Sequence, residues 1–552
     1  MGNGRNYSEA YYRKSKWIRT WSRIPVEEVY TPQNTNARDY SRELNDPGEY
    51  PYTRGIYPDM YRGRLWTVRQ ISAHSSAEES NRRLQFLFDA GEGGINVIAD
   101  IPTQIWLDSD HPLAEASVGV QGAPLCTLLD MEALMEGLPI EQVSTTFSTL
   151  CPVTLAQYLA VAEKGRIPPD KIRGTTIMDI VHGRFCGYGE EAYPHDLAIR
   201  LTCDTIEYAA RHLPLWNPVG IECYDLREWG ITAVQELAFG FSLAFGYIDE
   251  LLRRGLDIDD VACKICFTMS AHIDIFEEAA KFRAARRLWA RTLKEKYGAK
   301  DPRSLKFKFH TNTAGSMMTR QQPLNNIVRA AYGSLAAVLG GTQSLNTTPY
   351  DEAISIPTEH SHRTATMTQH ILAFETGVAN VADPLAGSYY VEHLTDRIEE
   401  DVCELLKKID AVGGGFEAVR TGWIRNEAEK AAYQYQKEVE SGERLVVGSN
   451  AFQIPEEEEE EPAAHQIMAQ AVDKHLARLR RLRETRDQVD LKRAINNLYC
   501  KSHDSRENLI GPIIGAVKAY ATVGEIMGTI RVATGYDYDA RDVLRSPFDF
   551  EG

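Results

Sequence analysis

From Gly94 to about Gly387 the chain alternates short β-branched or apolar runs, ending in polar residues, with longer helical stretches such as FEEAAKFRAARRLWARTLKEKYG. Strand and helix in repeated alternation build a parallel sheet, because parallel neighbours need a crossover long enough to hold a helix. The runs read as strands are GINVIADIP from Gly94, VSTTFST from Val143, GTTIMDI from Gly174, VGIECYD from Val219, VACKICFTM from Val261, LKFKFHTNT from Leu305, AAVLGGTQSLNT from Ala336 and ANVADP from Ala379. Eight such units close a (β/α)8 barrel, an α/β fold whose functional groups collect where strands run out into the loops that follow them. An open doubly wound sheet uses the same units, but no GxGxxG follows an early strand, so the dinucleotide-binding version has little support.

Around this barrel, expected over residues 94–400, lie two other regions. Residues 1–93 form an arm too rich in Tyr and Trp to be a disordered tail. Residues 401–552 read as a helical region, interrupted at 455–462 by an acidic, solvated linker, PEEEEEEP. With 552 residues the chain exceeds one ordinary core, and no run reaches the ~18 apolar residues of a membrane span. The net charge of −17 argues against general nucleic-acid binding but leaves room for a local basic pocket. The N-terminus has no apolar stretch of the secretory kind, so the cytoplasm is the expected compartment. Nine scattered cysteines fit reduced thiols, and the one CxxC, Cys263 and Cys266, reads as buried strand rather than a metal site.

Several segments together carry a resemblance to a known family. They are YPYTRGIYPDMYRGRLWTVRQ, AEESNRR, DIPTQIWLDSDHP, LPLWNPVGIECYD, FEEAAKFRAARRLWA, FKFHTNTAG, GGTQSL, YDEAISIPTE and DPLAGSYYVE. In this order and spacing, over about residues 25–450, the chain resembles the methylmalonyl-CoA mutases. The resemblance implies a barrel with a small-residue interior along which the pantetheine arm of coenzyme A threads. It assigns Tyr57, Met60, Arg64, Thr67 and Arg69 to coenzyme A. Guanidinium forks suit its phosphates. It also carries over Lys264, where the family has Arg, His310 and Asn312 at one strand end, and Gln343 and Glu352 near coenzyme A and the deoxyadenosyl group.

The reacting centre departs from the family. Where methylmalonyl enzymes have a Tyr over the cobalamin, this chain has Ile71, as in 2-hydroxyisobutyryl-type relatives; the Asp which that branch places late in the first strand is Ile98 here. Ile177 replaces a substrate-binding Gln. Gly187 replaces the Arg that pairs with the free carboxylate of methylmalonyl-CoA, with Arg184 nearby. The Tyr-His pair that holds the thioester carbonyl becomes Tyr224-Asp225. Asp225 reads either as a substrate contact or as the cap of the following helix.

The resemblance further implies a radical isomerisation with adenosylcobalamin as cofactor and coenzyme A as part of the substrate. No DxHxxG, the cobalt-binding signature, occurs in the sequence. A separate cobalamin-binding small subunit is therefore expected, in a heterotetramer, with a G-protein chaperone as a further partner. The expected substrate is a branched acyl-CoA of the 2-hydroxyisobutyryl, isobutyryl or bulkier type. A second reading is a non-catalytic homologue that binds coenzyme A or aids assembly; a third, an unrelated barrel lyase or aldolase, has no strand-end lysine or metal cluster behind it.

Overall fold

A computed structural model describes residues 19–27, 30–31, 35, 39–184, 191–459, 464 and 468–550. Ten short strands are all paired in parallel: β1 (Thr67–Val68), β2 (Ile71–Ser72), β3 (Gly94–Ile98), β4 (Ser144–Ser148), β5 (Gly174–Ile177), β6 (Trp216–Asn217), β7 (Val219–Glu222), β8 (Ile265–Ala271), β9 (Phe309–Thr313) and β10 (Ser344–Asn346). They form two five-stranded ladders, β1-β10-β9-β8-β7 and β2-β3-β4-β5-β6. Only Arg69 and Gln70 separate β1 from β2, and only Pro218, which lacks an N–H, separates β6 from β7. The ladders are therefore joined at both ends through continuous chain, and the pairing passes through eight strand positions back to its start. That is the circuit expected of a (β/α)8 barrel.

The first strand position differs from the sequence reading. It is Thr67–Ser72, inside the expected arm, and the run at Ala379 is no strand: Val378–Asn380 is a 3-10 turn. The polar pair Arg69 and Gln70 hid the true first strand, yet both are buried and used. Arg69 N–H donates to Leu345 O of β10, and Gln70 Oε1 accepts the N–H of Thr347. The false strand has Val381 54% exposed, and a short apolar run without a ladder partner stays a turn.

Helices cover the outside of the circuit. Thr232 and Gln235 form a capping box at the start of Ala233–Arg253, and Asp274 caps Ile275–Glu295. The latter packs against Tyr389–Ala411, Asn325–Leu339 and Ala233–Arg253. Between sheet and helices Phe241, Phe267, Trp289 and Phe307 contact one another edge-on and tilted. The C-terminal helix Ile510–Lys518 packs on Pro152–Lys164 of the barrel. In the acidic stretch Glu456–Glu458 make a 3-10 turn and Glu459 accepts the N–H of Gln322; residues 460–463 lie outside the described residues.

A fully buried ion network ties three helices to β8. Arg227 donates to Glu278 at 2.8 Å and lies 3.4 Å from Glu236, while Lys281 bridges Glu236, at 2.7 Å, to Glu278 and to Ser270 O. Burial alone pushes the Glu278 carboxyl up, but Lys281 and Arg227 outweigh it and hold it at about 2. Its stabilisation is thus present above the ordinary 4.5 and lost as the pH falls towards 2. Lys281→Met leaves two buried carboxylates short of a cation and is expected to cost about 3–5 kcal/mol in urea unfolding. A variant within about 1 kcal/mol of the parent, the scale of an exposed pair, contradicts this role.

Candidate active site

Side chains alternate across a strand, and the glycines show which face looks inward. A Cβ on Gly94 would sit 2.7 Å from Arg69 Nε; one on Gly220 would meet Thr268, Ile177 and Thr175. These contacts place Arg69, Gly94, Thr175, Ile177, Gly220 and Thr268 on the inner face. Thr146 joins them by accepting from Arg69. Few of these are bulky, so the axis stays open. A cavity of about 650 Å³ runs into it, lined among others by Tyr57, Met60, Arg64, Thr67, Arg69, Ile177, His310 and Gln343.

The cavity opens at the N-terminal ends of the strands, where Arg173, Asn217, Lys308 and Thr342 precede β5, β7, β9 and β10. The arm is pinned over this opening. Arg286 donates to Tyr52 O and Thr53 O, Tyr61 to Thr342 O, and Trp66 Nε1 to Gln369. Arg64, Arg173 and Lys308 thus ring the opening, with Arg69 deeper inside, its guanidinium pulled down to about 10 by burial. Lys308 was not singled out by the sequence, although LKFKFHTNT carries its signal: a cation alternating with Phe in a strand.

Some assigned residues are braced within the wall. His310 contacts Ser344 Oγ at 2.7 Å and Asn312 Oδ1 at 2.9 Å; burial pulls it down to about 3, so it is neutral and its Nε2–H donates to Asn312. Gln343 accepts the Phe309 N–H and donates to Gly341 O while lining the cavity. Lys264 differs from the expectation. Its ammonium is spent on the carbonyls of Leu213, Pro214 and Trp216; Lys308 stands in the cavity wall instead, where it donates to Asn217 Oδ1 at 2.8 Å and to Cys263 O.

The opposite mouth, at the C-terminal strand ends, is acidic. Ile71 opens β2, the second half of the first strand position, with its N–H on Asn346 Oδ1. Tyr224 and Asp225 open the helix Tyr224–Glu228, whose N-cap is Cys223, so Asp225 is a first-turn residue and not the cap. Its carboxylate lies 3.5 Å from His182 Nε2, a residue that sequence reasoning missed. The Asp225 side chain is 39% exposed in its recess, and the surrounding protein pushes its carboxyl up to about 6. Glu222, also missed, ends β7 and is buried. Burial first, and Asp225 second, push its carboxyl well above the ordinary range. Asp179, lifted to about 6 by burial, accepts from Tyr247 at 2.6 Å and from the Glu222 N–H. Glu228 accepts the N–H groups of Gly315 and Ser316, and Glu352 is exposed beside them at the mouth. Arg184 donates to Tyr193 O, and Gly187 lies outside the described residues.

A cavity ringed by cations at the N-terminal strand ends, in a barrel whose C-terminal strand ends carry carboxyls, suits a long molecule that is anionic at its tail and uncharged at its head. Among the described residues no group of three His, Cys, Asp or Glu side chains is placed to hold a metal ion, and no helix is long and apolar enough to cross a membrane.

Comparison with known proteins gives this geometry a family. The family model described as methylmalonyl-CoA mutase matches residues 19–536. The 2-hydroxyisobutanoyl-CoA mutase large subunit of Aquincola tertiaricarbonis is 37% identical over 511 residues, 92% of this chain and 90% of that protein. The methylmalonyl-CoA mutase of Rhizobium meliloti is 38% identical, covering 94% of this chain and 72% of its own length, and the mitochondrial enzyme of Homo sapiens is 34% identical, with 95% and 69% covered. An open barrel axis with a cationic entrance, carried by a sequence matched over nearly its whole length, places the chain in the methylmalonyl-CoA mutase family, as an isomerase that acts on acyl-CoA.

Proposed function

We propose that the chain is the large, substrate-binding subunit of an adenosylcobalamin-dependent mutase that rearranges the carbon skeleton of a branched acyl-CoA other than methylmalonyl-CoA. The observation that carries this reading is the polarity of the barrel: Arg64, Arg173 and Lys308 line the cavity at the N-terminal strand ends, and Glu222 and Asp225 stand at the C-terminal end of β7. The phosphates of coenzyme A pair with the cations, Tyr57 and Met60 flank its entry, and the pantetheine arm follows Thr67, Arg69, Thr146 and Thr175 inward. The acyl group then lies between Ile177, Ile71 and the mouth.

The acidic mouth bears on substrate choice. A free carboxylate on the acyl group would meet Asp225 and Asp179, while the guanidinium of Arg184 is engaged with Tyr193 O. Burying a second anion there, without a cation to pair it, costs several kcal/mol, of the order of ~3–5. An uncharged branched acyl group avoids this cost. That a relative covered over 90% of its length is named as a large subunit supports a partner small subunit that brings the cobalamin.

The mouth also fits the adenosyl face of the cofactor by the chemistry of its groups. Tyr224, Glu228, Asn312 and Glu352 offer donors and acceptors to sugar hydroxyls, and Ile71 an apolar contact. Adenosylcobalamin, when bound, supplies the radical that removes a hydrogen from the acyl group. The protein's own part is to hold the thioester in place, orient the migrating group and keep water out.

Two measurements test the reading. Arg64→Ala and Arg173→Ala are each expected to weaken coenzyme A binding about tenfold in calorimetry, as the loss of one charge-assisted contact does; unchanged affinity in the double variant contradicts the entrance. Second, the chain assembled with its small subunit and adenosylcobalamin is offered a panel of branched acyl-CoAs. Turnover of isobutyryl- or 2-hydroxyisobutyryl-CoA well above methylmalonyl-CoA is expected. Good turnover of methylmalonyl-CoA overturns the argument from the acidic mouth, and cobalamin binding with no turnover of any acyl-CoA favours a non-catalytic subunit.

A further inference from the structure

Glu222 is 6% exposed and ends β7 on the inner face: two residues earlier Gly220 faces Ile177 and Thr268, and the next residue, Cys223, points outward, where a Cβ on Gly240 of the surrounding helix would meet its Sγ at 2.3 Å. In the ladder Glu222 is registered with Thr268, which lines the cavity. Among the described residues no cation forms an ion pair with it. Its partners are the main-chain N–H groups of Tyr224, at 3.0 Å, and Asp225.

The groups around it are acids and neutral donors. Asp225 shares its turn, and Asp179 and His182 stand on the segment after β5, with Tyr247 of the helix Ala233–Arg253 behind Asp179. Asp225 lies 3.5 Å from His182 Nε2. Two other inner-face groups also have an unused polar atom. Asn96 Nδ2 and Ser270 Oγ are buried without a hydrogen-bond partner. Both belong to the inner face: Asn96 alternates with Gly94 and accepts from Ser148, and Ser270 alternates with Thr268. A buried polar atom left unsatisfied is costly, and a ligand that meets it recovers that cost.

We propose that Glu222 determines acyl-CoA recognition: its carboxyl donates an O–H hydrogen bond to the thioester carbonyl oxygen at the inner end of the channel. The proposal rests on the coenzyme A path described above. Burial without a cation favours the protonated form of this carboxyl, and a protonated carboxyl is a donor where a carboxylate is only an acceptor. Free coenzyme A, which ends in a thiol, gains nothing from this contact. Asp225 then needs no contact with the carbonyl, whose approach an ionised Asp225 would oppose.

The full chain is titrated with coenzyme A and with isobutyryl-CoA carrying 13C at the thioester carbonyl, and the carbonyl stretch of the bound ligand is read by infrared difference spectroscopy. The parent is expected to bind both and to lower the carbonyl frequency relative to buffer. Glu222→Gln keeps an N–H donor and is expected to retain a lowered frequency. Glu222→Leu is expected to lose that shift and to weaken isobutyryl-CoA binding about tenfold, with coenzyme A affinity unchanged. A Glu222→Leu chain that binds isobutyryl-CoA with the parent's affinity and frequency overturns the role of Glu222 alone. A parent that binds neither ligand overturns the coenzyme A path, and this proposal with it.

Discussion

Keeping the axis of a parallel β-circuit open is the constraint on which the rest of this molecule depends. Barrels of this topology ordinarily fill their interior with layers of branched side chains, and that packing is part of what holds them. Here Gly94, Thr146, Thr175, Gly220 and Thr268 line the interior, and the cavity of about 650 Å³ takes the place of a packed centre. Stability has to come from outside the circuit. The aromatic cluster around Trp289 and the buried network of Arg227, Glu236, Glu278 and Lys281 lie between strands and helices and supply it.

Polar groups in the channel follow from the same constraint. A buried Arg or Glu is tolerated where it has hydrogen-bond partners or where a ligand will come. Arg69 meets the first condition through Thr146 and Ser144 O; Asn96, Ser270 and Glu222 are inner-face groups poised for the second. The cations stand at the N-terminal strand ends and the acids at the C-terminal ends. A ligand with phosphates at one end and an uncharged thioester at the other therefore has one favourable direction of entry.

Strand positions with apolar runs, such as VGIECYD and VACKICFTM, were legible because their outer faces pack on helices and read as hydrophobic. The strand Thr67–Ser72 was not, since Arg69 belongs to the hollow interior and breaks the apolar pattern that marks a buried strand. The same physics misplaced a cation. Lys264 follows a helix and turns to three carbonyls, while Lys308, between two phenylalanines, lines the cavity and is itself held by Asn217 Oδ1 and Cys263 O; sequence spacing does not show which of the two reaches the cavity wall. Of the acyl-end residues, Ile71, Ile177 and Asp225 stand out by comparison with the family pattern. Glu222 was visible only as a carboxylate inside an apolar run, and His182 reaches Asp225 through a fold contact that no local motif encodes.

Function in this barrel depends on the direction in which acyl-CoA threads it. An experimental structure of the chain with isobutyryl-CoA measures this directly. The nucleotide is expected at the ring of Arg64, Arg173 and Lys308, the pantetheine along Arg69 and Thr146, and the thioester beside Ile177 and Glu222. A nucleotide bound at the mouth by Asp225 and Glu352, or on the outer helices with the axis empty, would contradict that direction.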